Sequence, residues 1–589
     1  MILQALVEYY NRKATDPDSA LAPAGFEWKE IPFVLELAHD GSVAQIIDTR
    51  ELQGKKLIAR RFLVPQAVKK TSGVAANLLW ETAEYVFGLD RKNNPERAAL
   101  QRVAFIDRIE SLSTTAKKDD GFVALKAFLD NPNSHSQVEQ KFQAQFAELN
   151  EINPVISFRL VGEPHLIAER PLIQTAINSG DNTDSDTTTA TGFCLVNGKE
   201  DAIERLHTSI KGVWGAQSSG ANIVSFNLNA FNSFGKAQGH NAPVGQEATF
   251  AYTTALNHLL GRDSRQRIQV GDASTVFWSR DKSALEEELV ALFGESGKDN
   301  PDEGSQAVAN LYAAINNGVY AEHNSSNRFY VLGLAPNAAR IAVRFFHTGT
   351  VAEMATNIKQ HFDDLDIERA AFDKPHLSIF RLLVCVASLG KADNIPPNLS
   401  GDFARAILAG LPYPNTLLQA VIRRIRAEHE INYPRAALIK AILNRQQRFQ
   451  LQSALTPHDK ELTVSLDLTN TNAGYRLGRL FAVLERAQER ANPGLNATIR
   501  DRCYGAAAST PVAVFSNLLK LKNHHIAKLE NKGEAFNLEK LIAEIMDGIN
   551  DFPAHMLLAD QGRFAIGYYH QRQSFYKKSD PATPTQTTE

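Results

Sequence analysis

The chain is poor in cysteine, with three in 589 residues, and it has no excess of charge, since 63 Lys and Arg stand against 66 Asp and Glu for a formal net charge of −3. Cys194, Cys385 and Cys503 lie far apart without the Cys-x-x-Cys spacing of zinc or redox sites, so they are expected buried and reduced. The charge balance argues against a globally basic nucleic-acid binder, and any such contact must come from local basic stretches. No run approaches the roughly eighteen apolar residues of a membrane helix. Met1 to Tyr10 (MILQALVEYY) lacks the basic flank and cleavage site of a signal peptide, so the cytoplasm is the expected compartment and no membrane partner is expected. Walker A, GxGxxG, GxSxG and HExxH signatures are all missing, which removes the commonest nucleotide and hydrolase chemistries.

Metal ligands are sparse as well. His39-Asp40 and His458-Asp459 are isolated dipeptides without the further His and Asp a metal phosphohydrolase needs. His524 and His525, adjacent on a helical pattern, point about a hundred degrees apart and do not share one ion easily. The acidic stretch 178–192 lacks the spacing and glycine of a calcium loop. No cofactor, no metal and no catalytic group is expected.

What the chain does have is length for several subdomains and 43% hydrophobic residues, an ordinary content for a folded protein. The pattern predicts an α+β fold: a mixed α/β amino-terminal and middle body with a helical insertion, followed by an all-α carboxy-terminal helical bundle. Residues 1–373 form the body, with the polar loop 178–192. A basic helical region covers 374–463, a helical bundle 464–573, and a frayed polar tail 574–589. Strands are expected at Phe33 to Leu37, Lys56 to Val64, Gly192 to Val196, Asn222 to Phe226, Val276 to Trp278, Phe329 to Leu334 and Arg340 to Phe346, with a helix around Asp201 to Ile210. A basic turn at Lys69 to Gly73 precedes a helical face of Leu78, Leu79, Thr82 and Val86. Phe105, Ile109, Phe122, Leu125 and Phe128 are the core positions of the helical insertion from about Pro95 to Asn150.

Two kinds of polar feature stand out. Ser225 to Leu260 begins with a loop crowded with Asn, Ser, Gln and Gly, whose amides can read base edges or hold phosphate oxygens and whose Gly235 and Gly239 allow close backbone approach; a long turn capping a helix is the alternative. Basic residues cluster at Arg60, Arg61, Lys69 and Lys70, and between Arg405 and Arg448 eight Lys and Arg face only Glu428 and Glu430. Phosphate neutralisation accounts for such an excess, and a solvated helix face is the competing explanation. Leu477, Leu480, Phe481 and Leu484 form an apolar stripe, with Arg479, Arg486 and Arg490 off it.

Several segments in order, MILQALVEYY, VPQAVKKTSGVAANLLW, SFNLNAFNSFGKAQGHNAPV with EATFAYTTALNHLL, TVFWSR, and LGRLFAVLERAQ with LNATIRDRCYGAAASTP, resemble the large subunit of type I-C CRISPR Cascade, from the first residue to about residue 530. The resemblance implies a non-catalytic subunit of an RNA-guided complex. It would sit with CRISPR RNA beside the backbone and handle-binding subunits, read a protospacer-adjacent motif in double-stranded DNA, help open the duplex into an R-loop, and offer a landing surface to a helicase-nuclease. It also implies a small subunit, which an internal start at Val464 could produce as a chain of about 126 residues.

On this reading Lys69, Lys70, Thr71, Ser72 and Asn77 approach the motif from one side and Asn232, Ser233, Lys236, Gln238 and Asn241 from the other. Arg60, Arg61, Arg423, Arg424, Arg426, Arg479, Arg486 and Arg490 hold DNA backbone, the displaced single strand included. Phe231, Phe234, Trp80 and Trp278 are expected in the core, a base wedge requiring an exposed ring. The rival expectation is a structural scaffold whose polar loops bind sister subunits and guide RNA without reading DNA.

Overall fold

The computed structural model describes residues 1–16, 21–53, 56–68, 73–91, 93–178, 191–270, 273–293, 305–320, 326–396, 399–452 and 460–576. Contacts divide the chain into two compact units, Met1–Lys211 with Ser219–His258, and Gly212–Ser218 with Leu259–Glu589. The class is α+β, as the pattern predicts. The boundaries expected at 373 and 463 both fall within the second unit.

The first unit is organised by a four-stranded sheet in the order Val43–Asp48, Phe33–Leu37, Val155–Leu160, Trp80–Thr82. Its two central strands run parallel, with Leu35 opposite Phe158. Strands Trp80–Thr82 and Val155–Leu160 are adjacent and antiparallel yet far apart in sequence, and the helical insertion fills the gap between them. Its first helix, Pro95–Glu110, starts where the Asn94 side chain accepts the Arg97 N–H and proline occupies the first turn. Phe105, Ile109, Phe122, Leu125 and Phe128 are buried against Phe33, Leu35 and Phe158, as expected of the core.

Four local expectations are corrected. The face through Leu78 to Val86 is a short strand followed by only five helical residues, Ala83–Phe87, and Leu79 sits at φ 63°, a left-handed conformation that a helix cannot continue through. The strand expected from Lys56 to Val64 breaks into Lys56–Ala59 and Arg61–Pro65, which pair with different partners. Residues 201–210 are not helical, and 222–226 form no strand. Side-chain amides replace regular pairing there: Asn222 Nδ2 donates to the His207 carbonyl at 2.8 Å, and Asn257 Nδ2 to that of Ser209 at 3.2 Å. His39 and Asp40 form a turn in which Asp40 Oδ1 accepts the Ser42 N–H and hydroxyl. His458 and Asp459 lie outside the described residues.

The second unit opens on an antiparallel sheet in the order Arg267–Val270, Ala273–Ser279, Arg328–Asn337, Arg340–Thr350, which contains the three strands expected in this region. A reciprocal cap between Thr350 and Glu353 turns the chain into helix Val351–Leu365. From there to residue 576 the described elements are helical. One core runs from Phe277 and Phe329 through Ile439 and Leu480 to Phe564 and Tyr569.

The closest helix pair in that core is Ala473–Ala491 against Leu558–Ser574. A Cβ on Gly478 would stand 2.0 Å from the Phe564 carbonyl oxygen, and one on Gly567 would stand 2.0 Å from that of Tyr475. Only glycine lets these backbones touch. This approach encloses the side of Ala473–Ala491 that the sequence pattern leaves polar: Arg479 is only 4% exposed, with Nε donating to Gln571 Oε1 at 3.1 Å. Its expected role on DNA is therefore withdrawn, since its guanidinium is built into the bundle.

Candidate nucleic-acid interface

In the loop of the first unit from Ser225 to Asn241, one side chain ties together the turn from Asn232 to Gln238. Asn241 Oδ1 accepts the Ser233 N–H at 2.9 Å, while its Nδ2 donates to the carbonyls of Lys236 at 3.2 Å and Gln238 at 3.0 Å, with Asn232 Oδ1 at 3.4 Å. Asn241 thus satisfies backbone groups of a tight turn instead of facing a ligand. Gln238 is occupied too, its Oε1 accepting Arg205 Nη1 at 2.5 Å. Gly239 packs against its own chain: its N–H donates to the Arg205 carbonyl at 3.1 Å, and a Cβ there would meet the Glu204 carbonyl oxygen at 2.2 Å. The close approach expected of Gly239 toward a ligand is spent on seating the loop.

The outward groups are different ones. Phe234 and Gln238 adopt left-handed backbones, φ 51° and 47°, beside Gly235 at 69°. For a residue with a side chain this costs roughly 1–2 kcal/mol. The conformation leaves the Phe234 ring 97% exposed. Burial of such a ring is worth roughly 1.5–3 kcal/mol, a gain that this strained, internally bonded turn forgoes. Asn232, Ser233 and Lys236 are exposed on the same turn. Of the other aromatics, Trp80 and Trp278 are buried and Phe231 is half-buried, which leaves Phe234 as the one of the four that meets the condition for a wedge.

On the other stretch, Lys69, Lys70, Thr71 and Ser72 lie outside the described residues. Asn77 is buried: its Oδ1 accepts the Val68 N–H at 2.9 Å, and its Nδ2 donates to Glu81 Oε2 at 2.9 Å. It anchors the chain before residue 69 and has no side-chain atom to offer a base. Arg60 and Arg61 are exposed, Arg60 lying 5.2 Å over the Phe62 ring. His258 stands near Arg61. Burial, with the charges of Lys13 and Arg61, pushes His258 down to about 4, so the imidazole is neutral at this electropositive corner.

The basic helices of the second unit divide in two. Arg423 and Arg426 project into solvent from helix Asn415–Glu428, and Arg424 is half-buried, 3.3 Å from Glu428 Oε1. Arg435, Lys440, Arg445 and Arg448, half of the eight basic residues between Arg405 and Arg448, are internal partners. Arg435 binds Glu428 and the Cys385 carbonyl; Lys440 donates to the Asp364 carbonyl at 3.0 Å; Arg445 lies 3.4 Å from the buried Asp364 carboxylate, which Arg448 also binds. Arg486 stands 3.9 Å from Glu489 and over the Phe575 ring, and Arg490 pairs with Glu534. Of the basic residues assigned to DNA in this unit, Arg423 and Arg426 present the most open charge.

Among the described residues no group of three or more His, Cys, Asp or Glu could hold a metal ion, and no helix is long and apolar enough to cross a membrane. Cys194 and Cys385 are buried free thiols and Cys503 is half-buried. The first unit thus presents an exposed aromatic on a braced polar loop, and the second unit presents the solvent-facing Arg423 and Arg426. The profile of one family of CRISPR-associated proteins, Cas_Csd1, matches residues 6–576, and the chain belongs to that family. No curated protein matches it.

Proposed function

We propose that this CRISPR-associated protein is the large subunit of a type I-C Cascade complex, reading the protospacer-adjacent motif in duplex DNA and starting the R-loop. The observation that carries the reading is Phe234: a fully exposed ring at the tip of a loop that the Asn241 amide braces. Apolar side chains inserted between base steps unstack and kink a duplex. Asn232, Ser233 and Lys236 flank the ring and supply edge and phosphate contacts, joined by Lys69, Lys70, Thr71 and Ser72. Gln238 and Asn241 act by bracing the loop. Arg60, Arg61, Arg423, Arg424 and Arg426 hold backbone phosphates. Bond breaking belongs to a separate helicase-nuclease recruited to the complex.

The test uses the assembled, guide-loaded complex and duplexes varied only at the motif. Phe234→Ala is expected to reduce duplex opening at least tenfold, and Lys236→Ala to weaken binding less. Divalent-ion-dependent cleavage by the purified chain would defeat the non-catalytic assignment. The same exposed ring also suits a hydrophobic socket on a sister subunit, which is the scaffold reading. In that case Phe234→Ala lowers the yield of assembled complex and leaves motif preference unchanged.

A further inference from the structure

Beside the loop lies a cavity of about 290 Å³ lined by Arg205, His207, Ser209, Asn222, Ser225 and Phe226, with Gly239 closing one side. Its walls are fixed from within. Asn222 Nδ2 donates to the His207 carbonyl at 2.8 Å, His207 Nδ1 lies 2.6 Å from the Tyr252 hydroxyl, and the Gly239 N–H donates to the Arg205 carbonyl at 3.1 Å. The volume sits at the foot of the range for small-molecule sites, roughly 300–1,000 Å³, and so suits one aromatic heterocycle better than a dinucleotide. The lining offers a flat ring, a hydroxyl and a guanidinium, the combination of stacking face and edge groups that an unstacked base requires. Gly239 stands five residues after Phe234, a stretch that spans at most about 18 Å. Ring and cavity are therefore within a few base steps of each other.

We propose that this cavity receives a single DNA base extruded from the duplex beside Phe234. The proposal rests on the duplex-opening reading of the loop given above. Phe226 supplies the stacking face, Ser225 meets the base edge, and the Arg205 guanidinium, which keeps further N–H groups beyond the one given to Gln238, faces the adjoining phosphate. A base held this way cannot re-pair, so the first opened step is trapped while the guide strand invades.

The experiment places thymine at successive positions next to the motif in a target duplex, binds the assembled complex, and measures permanganate oxidation, which attacks unstacked, solvent-accessible thymine. In the unmodified complex one opened thymine is expected to stay shielded while its opened neighbours react. Phe226→Ala removes the stacking face and Ser225→Tyr fills the cavity. Both should raise reactivity at that position several-fold and slow opening, with the preference for the correct motif retained. Unchanged reactivity in both variants, with motif preference intact, overturns the cavity assignment alone. Absence of motif preference in the unmodified complex overturns the loop reading and the cavity with it. Should Phe226→Ala fail to assemble, Ser225→Tyr carries the test by itself.

Discussion

In the loop Ser225 to Asn241, polar side chains turn inward to brace a backbone while a phenylalanine faces water; in helices Asn415–Glu428 and Tyr433–Gln452, cations turn inward to join helices while two arginines stay outside. Both regions look alike in composition, each rich in groups able to bind nucleic acid. They differ in where each donor finds its acceptor. A polar residue already bonded within the chain would have to exchange that bond for a ligand, whereas Phe234 and Arg423 exchange mainly water on contact.

The comparison breaks most visibly at Asp364. If Arg445 and Arg448 are structural, Asp364→Ala leaves a buried guanidinium without its counter-charge and should cost about 3–5 kcal/mol, read by denaturant unfolding. A loss below 1 kcal/mol would return those arginines to the pool of nucleic-acid contacts.

Acid provides the next test of the second unit. Burial pushes His361 down to about 3 and His570 down to about 4 from 6.5, each with Nδ1 against a tyrosine hydroxyl. Both are neutral when folded, and the unfolded chain takes up their protons below about 6.5. Stability should therefore be fully present above that pH and fall as pH drops through 6.5 toward 4 and then 3, by about a few kcal/mol. His570→Gln should flatten this dependence between pH 6.5 and 4 in thermal melts.

In the first unit, Gly239→Ala forces a Cβ into the Glu204 carbonyl and should unseat the loop at a cost of about 1–3 kcal/mol, seen as faster amide exchange from Ser233 to Asn241. The exposed arginines come next: Arg423→Ala and Arg426→Ala should each weaken binding to every duplex alike and lower the salt slope by about 1. Smallest of all is the effect of Phe234→Ala on folding, expected within about 0.5 kcal/mol of the parent, because the ring packs on nothing that folding needs.

Regular elements with apolar periodicity were legible in the sequence. The insertion core at Phe105 to Phe128, the sheet around Val276 to Trp278, and the helical last third all follow from local pattern. What escaped was set by partners distant in sequence. Arg479 reads as the polar side of an amphipathic helix, yet Gly478 and Gly567 draw a helix from more than eighty residues away over it. Asn222 to Phe226 has strand composition, but the Asn222 amide ties it to His207 and no ladder forms. The loop was legible as a polar loop before a helix, while the division between bracing amides and the presented ring depends on φ angles at Phe234 and Gln238 that composition does not reveal.

The carboxy-terminal helix Leu558–Ser574 has two neighbours of different origin. Its glycine seam faces Ala473–Ala491, but Gly562 rests on Ile439, Leu443 and Leu418, which precede residue 464. A polypeptide begun at Val464 would keep the seam and lose that seat, baring an apolar stripe that the complete chain covers for itself. Such a fragment could shield that stripe from water only by docking, so its solubility when made alone would measure how much this helix depends on the residues before 464.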